Sequence, residues 1–554
     1  MTEEQSASAV PPESLHDPSG RAVLARRAGV VSAAVFASRV LGLVREQVFA
    51  GYFGAGRELD AFITAFRIPN LLRDLFAEGA LSAAFVTTFT QVRERAGEAA
   101  AWRLANQVVM ALTAIVSVLV LVGVWYAPGL VHAIAPGFAA LEGKVALTVN
   151  MTRIMFPFLL LVALAAVAMG VLNTCNVFGI PALASAFFNL GSIVGGLGCA
   201  YLLAPDYVAG ITHALLHGAP VPPLVGIERA ITGMAIGTLI GGALQLASQL
   251  PSLRRVGYRH RLRLDFSDPA LRQVFRLMAP ATIGAAAVQV NVFINNNFAS
   301  YLGDGPVSWL NVAFRFMQLP IGLFGVALGT VTLPLASRQV AQGDVQALRK
   351  TLAHALEMVA LLCLPAAVGL ALFGVPVIGL IYQHGRFSAA DTSAAATALA
   401  GYALGLAGYA SIKVLTPVFY ALNDVRTPMI VSVVSIAVNY ALNWIFFRRG
   451  FGHLGLALST SAVALGNSAL LYLALRRRVG GLATLLARPL TRIGLASAFM
   501  GAVAYALDAL VAGAFADARV LHYLLRLTTV VPVAVVVFWA SCRLLGVAVP
   551  RWRR

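Results

Sequence analysis

Apolar runs long enough to cross a bilayer follow one another through nearly the whole of this sequence, and they leave few folds open. They fall near residues 29–53, 60–92, 101–127, 145–174, 182–204, 229–250, 276–301, 307–338, 351–374, 392–421, 428–447, 454–475, 490–512 and 521–546. A spanning helix needs about 20 mostly apolar residues, and each run supplies them. Of all residues 59% are apolar and 12% charged, against about a quarter charged in a soluble domain. Such a chain has too little polar surface for water. The expected fold is an all-α polytopic membrane protein with about fourteen transmembrane helices. Residues 1–28 are expected to form a polar, disordered N-terminal tail. The tail has no apolar core of a cleavable signal peptide, so the first helix itself is expected to direct insertion.

The net charge of +18 is compatible with nucleic-acid binding in principle, but its distribution argues for topology. Basic residues sit in short clusters between apolar runs: Arg254, Arg255, Arg259, Arg261 and Arg263, then Arg476, Arg477 and Arg478, with Arg21, Arg26 and Arg27 near one end and Arg551, Arg553 and Arg554 at the other. These clusters fall on the side shared by both termini. The opposite side holds Arg57, Lys144, Arg229, Arg386, Arg448, Arg449 and Arg519. The positive-inside rule then places both ends in the cytoplasm. No nucleic-acid partner is expected. Cys175, Cys199, Cys363 and Cys542 lie in or beside apolar runs without CxxC spacing, so neither a disulfide framework nor a metal site is expected.

The chain also repeats itself. FAGYFGAG at 49–56 is answered by FASYLGDG at 298–305, Ala65-Phe66-Arg67 by Ala313-Phe314-Arg315, Gln91-Val92 by Gln339-Val340, and Asn176 and Pro181 by Asn423 and Pro428. The matches run in order at nearly one offset, so helices 1–6 and 7–12 read as two copies of one six-helix bundle. Six is even, so the copies share an orientation, as in transporters built from parallel repeats. The expected organisation is an N-lobe over 29–256, a C-lobe over 257–480, and two added helices with a basic tail over 481–554. In such proteins substrate binds between the repeats on interrupted helices. Helix 2 carries Pro69, and helix 8 carries Pro320, Gly322, Gly325, Gly329 and Pro334. The spacing Gly233, Gly237, Gly241 on helix 6 predicts close helix packing instead.

A charge at the bilayer centre costs roughly 2.5–3.5 kcal/mol on insertion scales, so intramembrane charges need a partner or a purpose. Helix 1 holds Arg39, Arg45 and Glu46, helix 2 holds Asp60, Arg67, Arg73, Asp74 and Glu78, helix 8 holds Arg315, and helix 10 holds Lys413. Ser308, Asn311, Arg315 and Gln318 form one polar stripe on helix 8, expected to face a water-filled cavity. Ion pairing is the plainer reading for Glu46, Asp60, Asp74 and Glu78. For Arg39, Arg45, Arg73 and Arg315 ligand contact is favoured. Guanidinium forks match phosphate oxygens two at a time, so the cavity suits a phosphate or diphosphate and suits an organic cation badly.

The segment FASRVLGLVREQVFAGYFGAGRELDAFITAFRIPNLLRDLFAEGALS at 36–82 resembles the MurJ (MviN) family of lipid II flippases, as do VSWLNVAFRFMQLPIGLFGVALGTVTLPLAS at 307–337 and YQHGRFSAADT at 382–392. The likeness covers nearly the whole chain beyond the polar start. The family belongs to the multidrug/oligosaccharidyl-lipid/polysaccharide exporter superfamily. The resemblance implies a non-enzymatic flippase of the bacterial inner membrane. It would move the undecaprenyl-diphosphate-linked peptidoglycan precursor from the cytoplasmic to the periplasmic leaflet by alternating access. It implies Arg39, Arg45, Arg73 and Arg315 as the cavity arginines and Asp60, Glu78 and Glu46 as matching acidic positions. Some members carry Glu where this chain has Gln318. Helices 13 and 14 resemble a pair that grooves the lipid tail, and the sugar-peptide head group of the implied ligand would be served by Ser308, Asn311, Gln289, Asn291 and Asn295. Lipid II, membrane lipids and other proteins of peptidoglycan synthesis are the implied partners.

Two rivals share the fold: a flippase for another polyprenyl-linked glycan, and a drug/cation antiporter, which would want an acidic cavity. A polyprenyl-phosphate enzyme would need clustered carboxylates at the membrane surface, and Asp265 and Asp268 among arginines read as a solvated loop. No P-loop is present and no cofactor is expected. Membrane potential, Na+ and H+ all stand open as the driving force.

Overall fold

The computed structural model describes residues 18–74, 80–261, 265–511 and 519–547, and among them it contains helices and no strand. Among the described residues ten helices or joined helix pairs are long and apolar enough to cross a membrane, eleven with the pair Ala389–Ala403 and Leu406–Ala421, bent by 44°. The expected stretches outside that set hold helix as well: α1 (Pro18–Phe53), α2 (Arg57–Arg73), α3 (Ala80–Ala96) and, further on, Pro269–Ser300. Helix α1 begins inside the expected tail, because proline is tolerated in a first turn and the following RAVLARRA is rich in strong helix formers.

The chain divides into two compact units. The first comprises Met1–Phe53, Ala61–Ala133 and Ala139–Gln289. It contains α4 (Glu98–Trp125), most of the short α5 (Ala127–Ile134), α6 (Lys144–Met155), α7 (Phe158–Thr174), α8 (Gly179–Leu203), α9 (Pro205–His217), α10 (Ile227–Ala247) and α11 (Leu250–Arg255). Its tightest seam joins α8 to α10. A Cβ on Gly233 would strike the backbone of Ala200, one on Gly237 that of Gly196, and one on Gly241 the carbonyl of Phe188. The expected packing role of these glycines therefore holds, since small residues let two backbones approach where lipid offers no hydrophobic drive.

The second unit comprises Gly54–Asp60, Ile134–Phe138 and Val290–Arg554. The division passes through α12 (Pro269–Ser300). The unit continues with α13 (Pro306–Pro320), α14 (Ala327–Ala341), α15 (Val345–Leu372), α16 (Gly374–Tyr382), α17 (Ala389–Ala403), α18 (Leu406–Ala421), α19 (Arg426–Arg448), α20 (Gly452–Val479), α21 (Ala483–Val511) and α22 (Arg519–Leu544). One core joins Ala360 and Leu361 of α15 to Met500 and Ala504 of α21 and Val530, Ala534 and Phe538 of α22. The outer face of α22 exposes Val531, Val533, Val535 and Val536, a surface that only lipid covers without cost.

The repeat has a backbone counterpart inside each unit. Among the described non-glycine residues only Asn176 (φ 60°) and Asn423 (φ 56°) have positive φ. Each follows a helix end. The Val177 N–H donates to Leu172 O (2.9 Å) and the Asp424 N–H to Phe419 O (2.8 Å), the 6→1 bond of a Schellman cap. The next helices start at Gly179 and Arg426. Helices α2 and α13 likewise start at Arg57 and Pro306, after the positive-φ glycines Gly54 and Gly303.

Candidate functional site

Helix α1 carries Arg39, Arg45 and Glu46. It is fixed beside α8 by Asn189, whose Nδ2 donates to the Ser38 carbonyl (3.1 Å). Arg39 is exposed, and Arg45 and Glu46 are half-buried. The Arg45 guanidinium lies 5.1 Å from the Phe188 ring centroid. Behind Phe188 runs an aromatic file: Phe158 at 5.3 Å, Phe66 at 5.5 Å from Phe158, and Phe62 at 6.4 Å from Phe66. A ring face attracts a guanidinium by roughly 0.5–2 kcal/mol. Arg45 is thereby oriented while remaining partly open to other contacts.

At the end of α2, Arg73 forms an ion pair with Asp74 (Nη2 to Oδ1, 2.9 Å; Nε to Oδ1, 3.3 Å). The other Asp74 oxygen accepts from Gln289 Nε2 (3.1 Å). Ion pairing is the plainer reading of Asp74 in the sequence. The adjacent arginine reaches it, and Gln289, expected at a head-group cavity, donates to it. Glu78 lies outside the described residues.

In the second unit Asp60 is fully buried and faces the first turn of α13. Its carboxylate accepts from the Gly305 N–H (2.7 Å), the Ser308 N–H (2.8 Å) and the Ser308 hydroxyl (2.7 Å). Those amides have no partner within their own helix, and a carboxylate there also meets the positive end of the helix dipole. This corrects the reading of Ser308 as a cavity-facing residue: it is fully buried and donates to Asp60. Further along the stripe Asn311 is half-buried, and Arg315 and Gln318 are exposed. Burial of the docked first turn removes only the stripe's first member from solvent.

Helix 8 is interrupted, as the prolines and glycines suggested. Pro320 is followed by a π-helical turn over Ile321–Val326 before α14 begins. Proline lacks the donor for a regular i→i−4 bond, and π-turns occur often at functional sites. Two of the glycines serve packing. A Cβ on Gly325 would lie 3.0 Å from Ala410 Cα, and one on Gly329 would strike the Lys413 carbonyl. Gly322 has nothing within 4 Å.

Asn291 and Asn295, expected to contact a head group, sit in a buried polar network between α12, α19 and α20. Asn295 Nδ2 donates to Thr460 Oγ1 (3.1 Å) and Asn291 Nδ2 to Ser435 Oγ (3.4 Å). Asn443 Nδ2 donates to Asn295 Oδ1 (2.8 Å) and Asn439 Oδ1 (2.7 Å), and the Ser459 hydroxyl donates to Asn443 Oδ1. Asn439, Asn443, Ser459 and Thr460 were missed from sequence. Their signal was an i, i+4 asparagine pair inside an apolar run, the spacing of one helical face.

The MurJ family model, described as lipid II flippase MurJ, matches residues 49–526. The chain belongs to this family. Lipid II flippase MurJ of Burkholderia cenocepacia is 37% identical over 452 residues, 81% of this chain and 83% of that protein. A probable lipid II flippase MurJ of Vibrio cholerae is 33% identical over 450 residues, 80% and 81% of the two chains. A solved structure of lipid II flippase MurJ in an inward-closed conformation superposes with a TM-score of 0.73 at 25% identity, over 93% of this chain and 98% of that one. The fold is shared more widely. An inward-facing multidrug resistance MATE transporter of the MOP superfamily gives a TM-score of 0.62 at 14% identity, over 81% and 96% of the two chains. The chain is thus an all-α, multi-pass inner-membrane protein of the MurJ family. Arg73 and Arg315 fall inside the matched segment, and Arg39 and Arg45 lie just before it.

Proposed function

We propose that this protein is a lipid II flippase, moving the undecaprenyl-diphosphate-linked peptidoglycan precursor from the cytoplasmic to the periplasmic leaflet. The observation that carries the reading is the MurJ family match from residue 49 to 526. The chemistry of the candidate site supports it. Arg39, Arg45 and Arg315 are arginines on membrane helices with exposed or half-buried side chains, and guanidinium forks suit a diphosphate. Arg73 would reach the ligand by exchanging Asp74 for phosphate oxygens. Glu46 in the first unit and Asn311 and Gln318 in the second would each offer a polar contact to ligand, and Asp60 would position α13, the helix that bears Arg315.

In this reading both termini and the 251–276 loop are cytoplasmic, by the positive-inside rule. Transport proceeds by alternating access without a bound cofactor, driven by membrane potential or by a Na+ or H+ gradient. Other proteins of peptidoglycan synthesis are its partners. Depletion of the resident flippase in a bacterial host tests the function. The wild-type chain should restore growth and cell shape, and accumulation of unflipped lipid II despite normal membrane levels of this chain would refute it.

A further inference from the structure

The loop after α10 carries a dense arginine cluster, and one side chain fixes its 258–261 stretch. Asn106 of α4, almost fully buried, makes four hydrogen bonds. Its Nδ2 donates to the Arg259 carbonyl (3.1 Å) and the Trp102 carbonyl (3.0 Å). Its Oδ1 accepts from the Tyr258 hydroxyl (3.0 Å) and the Arg261 N–H (2.8 Å). The Tyr258 ring lies edge-on to Trp102 at 6.1 Å. Burial pushes the Tyr258 phenol up to about 12, so it stays a donor at every physiological pH. A second turn follows at 265–268. There Asp265 accepts from Ser267, Asp268 accepts from the amides of Ala270 and Leu271, and Arg272 Nε donates to the Phe266 carbonyl (3.1 Å).

Backbone held this firmly displays side chains in fixed places. Arg254, Arg255, Arg259 and Arg261 are exposed. Beside them along the chain stand two exposed apolar side chains, Leu250 at 43% and Phe266 at 51%. The cluster lies at and just past the end of the candidate span Ile227–Arg255, which would put it at head-group depth. Arginines with an apolar and an aromatic anchor at that depth match an anionic membrane interface. A soluble acidic partner would leave Leu250 and Phe266 without a role.

We propose that the loop from Leu250 to Arg261, together with Phe266, is a preformed seat for anionic phospholipid head groups, held in shape by Asn106. The seat is separate from the candidate transport residues and independent of the lipid II reading. Native mass spectrometry of the full chain with equal amounts of phosphatidylglycerol and phosphatidylcholine tests it. Each arginine near an anionic surface changes binding by about fivefold. The variant R254Q/R255Q/R259Q/R261Q is therefore expected to lose the phosphatidylglycerol preference of the wild type by about tenfold or more. These side chains are exposed, so glutamine leaves the packing unchanged. Asn106→Ala keeps every arginine but frees the loop, and it should lose much of the same preference. Excess inorganic phosphate should not displace the lipid. An unchanged preference in the quadruple variant, or displacement by phosphate, overturns the lipid seat. An unchanged preference in Asn106→Ala overturns the preformed loop.

Discussion

Asp60 reaches out of the first turn of α2 to accept both the backbone N–H and the hydroxyl of Ser308, at 2.8 and 2.7 Å. With the Gly305 N–H as third donor, the buried carboxylate caps α13 from a segment far away in sequence. Hydrogen bonds to charged groups contribute about 1.5–3 kcal/mol each. Asp60→Ala strands the α13 donors and is expected to lower the melting temperature in detergent markedly. Asp60→Asn keeps an acceptor oxygen and should fall between, and Ser308→Ala, which removes the hydroxyl donor, should cost about 1.5–3 kcal/mol. Thermal melts of the three variants check the order.

The α8–α10 seam predicts a contrast between glycines. Gly237→Ala forces a methyl into the Gly196 backbone, and overpacking of this kind costs about 1–3 kcal/mol. Gly322→Ala meets nothing within 4 Å and should be neutral or slightly stabilising. Equal loss of folded protein in both variants would contradict the packing assignment.

The two left-handed asparagines should behave as a pair. At Asn176 and Asn423 glycine should be tolerated, because it adopts positive φ freely. Valine should cost roughly 1–2 kcal/mol at each, since a Cβ clashes with its carbonyl there. Parallel responses in fluorescence-detected melts would match the repeat. A large effect at one site alone would break the equivalence.

Asp424 gives a pH dependence. Hydrogen bonds from the Thr427 hydroxyl and N–H, with Arg478 2.6 Å away, hold its carboxyl below the usual carboxylate range. A depressed folded pKa contributes stability above the unfolded value of about 3.9 and loses it as pH falls through the folded value. Asp424→Asn should therefore melt below the wild type at neutral pH, and the gap should close as pH drops under about 4. A gap that stays constant with pH would remove ionisation as its cause.

Much of this was legible in the sequence because lipid makes simple demands. Apolar runs located the helices, the Gly233, Gly237, Gly241 spacing located a close seam, and the 49–56 and 298–305 match exposed the repeat. Side-chain partners were less legible. Asp60, Arg67 and Asp74 share a seven-residue spacing, yet Asp60 turns to α13 and Asp74 to Arg73 and Gln289. A helix face says which way a side chain points. The neighbouring element supplies the donor, and an orphan amide at the start of α13 leaves no mark in the α2 sequence. Asn443 shows the same limit, since its partners come from α12 and α20.

The arginines separate charge from geometry. Arg39→Ala, Arg45→Ala, Arg73→Ala and Arg315→Ala should each reach the membrane at near-normal levels and fail to support growth. If the contact is bidentate, Lys at each position should fail almost as badly. Arg73→Ala also leaves Asp74 without its ion pair, so of the four it should melt lowest in detergent. Normal growth with all four Ala variants would reduce these residues to structural charges.

The central claim is tested most directly by translocation in a defined membrane. The purified chain is reconstituted into liposomes holding fluorescent lipid II, in parallel with another polyprenyl-diphosphate glycan and a phospholipid, and the fraction of label reached by an impermeant quencher is followed. Lipid II should cross rapidly in proteoliposomes and not in empty vesicles, with Arg45→Ala and Arg315→Ala slowed at least about tenfold, the loss of roughly 1.4 kcal/mol of binding. Lipid II crossing no faster than in empty vesicles, under an imposed membrane potential and under Na+ and H+ gradients, would contradict the account.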